Sequence, residues 1–237
     1  MLAIEGLDLY YGDAQALAGV SLTVAEGTIV TLVGANGAGK TSLIRTVAGM
    51  HRPRRGRIMF RGRDIAGWPS HRVCNLGIGQ VAEGRQIFPA LSVLENLKMG
   101  AMLPRAWAKR AANLDRVAAM FPLLVERFDQ SAGTLSGGEQ QMLAIARGLM
   151  ARPRLLLLDE VMAGLRPTEV DRMVAILTEL NRASGLTILL IEHVMRAVVA
   201  LATRVLVLHH GATIAQGTSE EIVRDPEVVK SYLGAVD

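Results

Sequence analysis

Cysteine is almost missing from this 237-residue chain: Cys74 stands alone, so no internal disulfide can form, and the reading is a reducing, cytoplasmic setting with a packed core. Aromatic residues make up only 4 % while hydrophobic residues reach 50 %, so the apolar content is aliphatic, as suits buried parallel strands covered by helices. No run of about 18 uncharged residues occurs, the length a bilayer crossing requires. The strongest candidates, residues 155–158, 187–191 and 197–202, are cut short by Asp159, Glu192 and Arg204. Glu5 and Asp8 lie where the apolar part of a secretory leader would have to be. Repeats and low-complexity stretches are also lacking, which sets solenoids and linkers aside. A chain of this length can bury roughly 70 to 75 % of its unfolded surface, enough for one substantial core.

What is present is a net charge of +4 and a dense arginine group, Arg52, Arg54, Arg55, Arg57, Arg61 and Arg63, beside His51. Pro53 and two glycines interrupt it, so it reads as a solvated turn and hairpin edge rather than a basic helix. Val20, Leu22 and Val24 alternate with polar residues in a segment of short strands and glycine turns, which predicts an antiparallel flank over the first sixty residues. Residues 29–33, 155–158, 187–191 and 205–208 are unbroken aliphatic runs and predict central parallel strands. Between 83 and 134 the pattern turns helical, punctuated by Pro89, Pro104 and Pro122, which predicts an inserted lobe. Past Gly211, a short strand over 213–215 leads to Thr218 and Glu221, a capping-box spacing that opens a terminal helix. The expected division is a core over 1–82 and 135–210, a lobe over 83–134 and a C-terminal strand and helix over 211–237.

Gly34, Ala35, Asn36, Gly37, Ala38, Gly39, Lys40 and Thr41 match the glycine-rich pattern of a phosphate-binding loop, with Ser42 directly behind it. The glycines let backbone N–H groups wrap a phosphate, and the helix expected over 41–48, stopped by Gly49, aims its positive end there. Lys40 supplies a point charge to the β and γ phosphates, and the Thr41 hydroxyl a ligand for Mg²⁺. Asp159 and Glu160 end an apolar strand, where two acids are costly unless a cation or ligand uses them. Asp159 is read as the Mg²⁺ holder and Glu160 as the base that orients and deprotonates a water. Ser136 and Glu139 form a capping box opening a helix with inner face Met142, Ile145, Ala146, Leu149 and Met150. The Gly137-Gly138 pair weakens that first turn unless something must approach the backbone closely.

Leu135-Ser136-Gly137-Gly138-Glu139-Gln140-Gln141 closely resembles the signature of the ATP-binding-cassette (ABC) ATPases, and the resemblance extends over essentially the whole chain. It implies an α/β fold with a P-loop NTPase core, an N-terminal antiparallel β flank and an inserted helical lobe. It also implies an ATPase using ATP and Mg²⁺, working as a pair in which Ser136 and Gly138 of one subunit complete the site of the other. Tyr11 matches the aromatic that stacks on adenine, and His193 the switch histidine that meets the γ-phosphate. Glu83 stands at the coupling-loop position where most members carry Gln. Ala82, Val161 and Arg166 depart from the commonest pattern as well.

The Glu83-Gly84-Arg85 loop resembles that of the ATPases of branched-chain amino acid importers. The resemblance therefore implies a subunit energising uptake of branched-chain or other small amino acids or amides, on the cytoplasmic face of a membrane, with transmembrane permease subunits and, indirectly, an external solute-binding protein. A heterodimer with a second cassette is favoured over a homodimer, and no nucleic acid partner is expected. The competing expectations are a soluble cassette ATPase acting on nucleic acid, ribosomes or cluster assembly, for which the arginine group is the only support, and an export-type cassette.

Overall fold

In the computed structural model, residues 1–228 are described. The chain opens with an antiparallel pair, β1 (Leu2–Tyr11) and β2 (Ala14–Val24), whose alternating residues Leu7, Leu9, Val20, Leu22 and Val24 are buried. Then come β3 (Ile29–Val33), the phosphate-loop segment, α1 (Lys40–Val47), β4 (Arg55–Phe60) and β5 (Arg63–Asp64). Strands β2, β1, β4 and β5 form a four-stranded antiparallel sheet in that order. The expected flank is therefore present. Arg52, Arg54, Arg55, Arg57, Arg61 and Arg63 are all exposed on it, with Arg54 stacked over the Tyr10 ring and Arg63 over that of Trp68.

Helix α2 (Ser70–Leu76) and β6 (Ile78–Val81) follow, then a helical stretch comprising α3 (Val93–Met99), α4 (Pro104–Trp107), α5 (Arg110–Met120) and α6 (Pro122–Val125). Helix α7 (Gly137–Leu149) leads back to β7 (Leu155–Asp159), α8 (Pro167–Ser184), β8 (Thr187–Ile191), α9 (Met195–Leu201), β9 (Arg204–His209), β10 (Ala212–Gly217) and α10 (Ser219–Arg224). The capping boxes at Ser136 and Thr218 form as the spacing predicts. Residues 229–237 of the expected C-terminal segment lie outside the described residues.

The second sheet has the order β10-β9-β3-β8-β7-β6 and is parallel except at β10. Every residue of β3, β7 and β8 is buried, so each leucine from 155 to 158 contributes roughly 2 kcal/mol of apolar burial on both faces of the sheet. Register then places the chemistry. Leu32 is level with Ile191, and Ile191 with Asp159, so β3, β7 and β8 release their loops at one height on the carboxyl edge of the sheet, where ligands of open α/β sheets bind.

Candidate functional site

The loop leaving β3 is forced into its shape by contact with neighbouring backbone. Gly39 caps α1 with φ 100°, and a Cβ there would lie 2.8 Å from the Ala16 carbonyl oxygen and 2.9 Å from a Leu17 methyl, so only glycine fits. Lys40 begins the helix with a side chain that is only 6 % exposed, and its ammonium donates to the Gly34 and Ala35 carbonyls at 2.8 and 3.1 Å. That ammonium is 3.9 Å from Glu160 Oε1, and His193 Nδ1 lies 3.8 Å from Glu160 Oε2. One carboxylate thus faces the loop lysine on one side and the histidine after β8 on the other.

Glu160 adopts φ 49°, in the left-handed region, while its N–H donates to the Ile191 carbonyl at 3.0 Å. A non-glycine residue in that region stores strain of order 1–3 kcal/mol, and such strain gathers at functional positions. Asp159 is buried, and the Thr41 hydroxyl donates to its Oδ1 at 3.2 Å. Its Oδ2 is buried without a hydrogen-bond partner among the described residues. Burial pushes the Asp159 carboxyl above the usual carboxylate range; the Thr41 hydroxyl opposes this, and the neighbouring Glu160 and Glu83 add to it. A buried carboxylate oxygen with nothing to accept from, beside a hydroxyl, is a donor set that suits a hard divalent cation such as Mg²⁺.

Tyr11, Asn36, Gly37, Ala38, Gly39, Lys40, Thr41, Ser42, Glu83 and Glu160 line one cleft of about 630 Å³. Tyr11 is about half exposed at the end of β1, its hydroxyl 3.2 Å from Ser42 Oγ and its ring edge-on to His51. Gln15, Ala16, His210 and Gly211 line the same cleft and were not expected from the sequence. They arrive through sheet closure: Gly211 N–H donates to the Ala38 carbonyl and Gly211 O accepts from Ala18, contacts no local pattern announces.

Ser136, Gly137, Gly138 and Glu139 do not line this cleft. They form the first turn of α7, where Ser136 Oγ accepts from the Glu139 N–H at 3.3 Å and Glu139 Oε2 accepts from the Ser136 N–H at 2.8 Å. Glu139 is further held by Arg127 at 3.1 Å. The two clusters therefore lie apart on one chain.

A family model described as "ABC transporter" matches residues 17–163, and one described as "Branched-chain amino acid ATP-binding cassette transporter" matches residues 212–237. The chain is 42 % identical to the high-affinity branched-chain amino acid transport ATP-binding protein BraG of Pseudomonas aeruginosa, over 99 % of this chain and 100 % of the relative. It is 33 % identical to LivG of Escherichia coli, a protein of the same description, over 99 % and 98 % of the two chains. Among solved structures, a nucleotide-free ATP-binding cassette from an ABC transporter superposes with a TM-score of 0.90 at 29 % identity, covering 99 % of each chain. The ADP conformation of the ABC cassette MJ1267 gives the same TM-score and identity over 99 % and 98 %. By these likenesses the chain belongs to the ABC transporter ATPases, in the family of branched-chain amino acid transport ATP-binding proteins.

Proposed function

We propose that this chain hydrolyses MgATP to energise uptake of branched-chain amino acids, as one of two cassettes on the cytoplasmic face of a membrane permease fed by an external solute-binding protein. The observation that carries the reading is the convergence of Lys40 and His193 on Glu160, at the mouth of a loop built for phosphate. BraG and LivG are by their names ATP-binding proteins of high-affinity branched-chain amino acid transport, which supports the substrate class.

In this reading the amides of residues 34–42 and the Lys40 ammonium grip the β and γ phosphates, and Tyr11 stacks on adenine. Glu160 orients and deprotonates the attacking water, and His193 holds the γ-phosphate oxygen next to it. Glu83 faces the same space from the coupling loop. Thr41 and Asp159 would hold Mg²⁺, which supplies positive charge to the phosphate oxygens when bound. Positioning of this kind can contribute roughly 7 to 11 kcal/mol of barrier reduction. The partner completes the site with its own signature turn, so ATP joins the two subunits and hydrolysis releases them.

The domain division that fits is a nucleotide core over 1–82 and 135–210, a lobe over 83–134 and an appendage from 211 onward. Between core and lobe runs an apolar groove of about 530 Å³ rimmed by Met50, Phe88, Met99 and Met102, whose side chains are exposed. A permease helix would dock there, so the lobe would sense the transporter through Phe88. Among the described residues no helix is long and apolar enough to cross a membrane. Pseudomonas aeruginosa has both BraG and BraF, and this chain resembles both, at 42 % and 34 % identity, which favours a heterodimer. Purification from membranes tests the proposal: two polytopic proteins and a second cassette should accompany the chain, and vesicles carrying them should take up leucine on ATP addition. Recovery of the chain without any permease contradicts it.

A further inference from the structure

The first turn of α7 points its free amides and the positive end of the helix dipole outward, with Ser136 as cap. Arg85 rests on that end. A Cβ on Gly137 would lie 2.8 Å from Arg85 Nη2, so the guanidinium covers the Gly137 backbone, while its Nη1 donates to Gln140 Oε1 at 3.0 Å. A cation is electrostatically misplaced at a helix N-terminus unless an anion joins it. Among the described residues no carboxylate lies within 4.0 Å of Arg85. Glu169, whose Oε1 would be 2.7 Å from a Cβ on Gly138, is bonded to Arg166 at 3.2 Å and feels the Arg85 charge only through space, as the last of the causes that hold its carboxyl below the usual range.

The backbone is held to this arrangement at a cost. Arg85 has φ 66° and Gln86 φ 48°, two consecutive non-glycine residues in the left-handed region. Arg147, two turns further along α7, donates to the Gln86 carbonyl and lies over the Phe88 ring. The signature helix therefore grips the 85–88 loop at both ends. Arg85 is half-buried and also lines a second open cleft of about 630 Å³ together with Glu83, Gln140 and Glu160.

We infer that Arg85 is a phosphate-recognition residue acting in trans: its guanidinium joins the first-turn amides of α7 in binding the terminal phosphate of the ATP held by the partner cassette. A planar fork of donors suits phosphate oxygens, and the anion would neutralise both the guanidinium and the helix end. Arg85 lies two residues after Glu83, which lines the chain's own nucleotide cleft, and three before Phe88, which rims the apolar groove. Engagement of the partner's nucleotide would thereby fix the loop that faces the permease.

The inference rests on the paired-cassette reading, and the test separates the two. In a Glu160→Gln background, alone and mixed with the second cassette that co-purifies with it, the ATP concentration for half-maximal dimerisation is measured by light scattering for Arg85→Gln and Arg85→Lys. Binding of a fluorescent ADP to the monomer is followed alongside. Arg85→Gln should raise the ATP requirement about tenfold or more, Arg85→Lys should recover part of that loss, and ADP binding should stay at the parent's level. If Arg85 only braces Gln140, Arg85→Gln, which keeps a donor, will dimerise like the parent. That result overturns the inference while leaving the pairing intact, and so does a loss of ADP binding as large as the loss of dimerisation. A parent that stays monomeric with ATP under both conditions removes the pairing, and the inference with it.

Discussion

The buried carboxylate of Glu192 accepts the backbone N–H of Met162 at 3.0 Å through Oε1. Its Oε2 accepts from the N–H groups of His193 and Val194 at 3.0 and 3.1 Å. One side chain thus ties the loop that follows Glu160 to the loop that begins with His193. Glu192→Ala strips three N–H groups of their acceptor, one of them buried and two part-buried, and each orphaned group costs about 1–3 kcal/mol where water does not reach it. A loss of about 3 kcal/mol in denaturant unfolding is expected, together with a fall in kcat larger than any change in ADP affinity. Equal kcat in variant and parent would show that the two loops hold their places unaided.

Asp159 gives a pH signature. Burial raises its folded pKa above the unfolded value, so the native state binds this proton more tightly than the unfolded chain does. The stability contributed by the protonated form is complete below the unfolded pKa and is lost as pH rises through the folded one. At neutral pH the ionised carboxylate therefore destabilises the metal-free protein. Asp159→Asn should raise its melting temperature by about 2–4 °C at neutral pH, an advantage that disappears below a pH of about 4. Mg²⁺ should raise the melting temperature of the parent and leave that of the variant unmoved. A variant that melts below the parent at neutral pH would contradict this assignment.

Tyr11 is an exposed aromatic at the rim of the nucleotide cleft, its hydroxyl against Ser42 and its ring edge-on to His51. Base stacking on an aromatic contributes about 1–3 kcal/mol, so Tyr11→Ala should weaken ATP binding by about tenfold while Tyr11→Phe stays near the parent. Fluorescent-nucleotide titration distinguishes the two. Equal loss in both variants would assign the effect to the Ser42 contact instead.

Phe88 rims the apolar groove and lies under Arg147, away from the phosphate loop. Phe88→Ala should leave ATP binding by the isolated chain unchanged and reduce recovery of the permease with it by about tenfold, as removal of an aromatic anchor does. Undiminished co-purification would place the docking surface elsewhere.

How far the sequence could be read depended on how local each cause was. Residues 29–33 and 187–191 are continuous aliphatic strands buried on both faces, and β3 and β8 have those bounds. The capping boxes at Ser136 and Thr218 need only neighbours three residues away, and both form. Strand β6 was missed because Ile78-Gly79-Gln80-Val81 has two aliphatics and no period; pairing with β7 makes it a strand, and Val81 packs against Gly148 of α7. Helix α2 was missed as well, since Ser70–Leu76 has one buried residue, Val73. At the nucleotide cleft, the residues of the phosphate loop and strand end were legible from their own pattern. Ala16 and His210 were not, because they reach the cleft from distant parts of the chain. The contact of Arg85 with Gln140 spans 55 positions and depends on two left-handed residues that no local pattern demands.

The central claim is that ATP held by Lys40 and its loop joins one cassette to the signature turn of another, with Glu160 as the group that ends the embrace by hydrolysis. Glu160→Gln removes the proposed base and should slow turnover by about 10² to 10⁴-fold while nucleotide still binds. The most direct measurement is the mass of this variant, alone and with its companion cassette, by light scattering in MgATP and in MgADP. The account predicts a dimer in ATP that dissolves in ADP and never forms when Lys40→Ala is added. A monomer that retains ATP in every condition would contradict it.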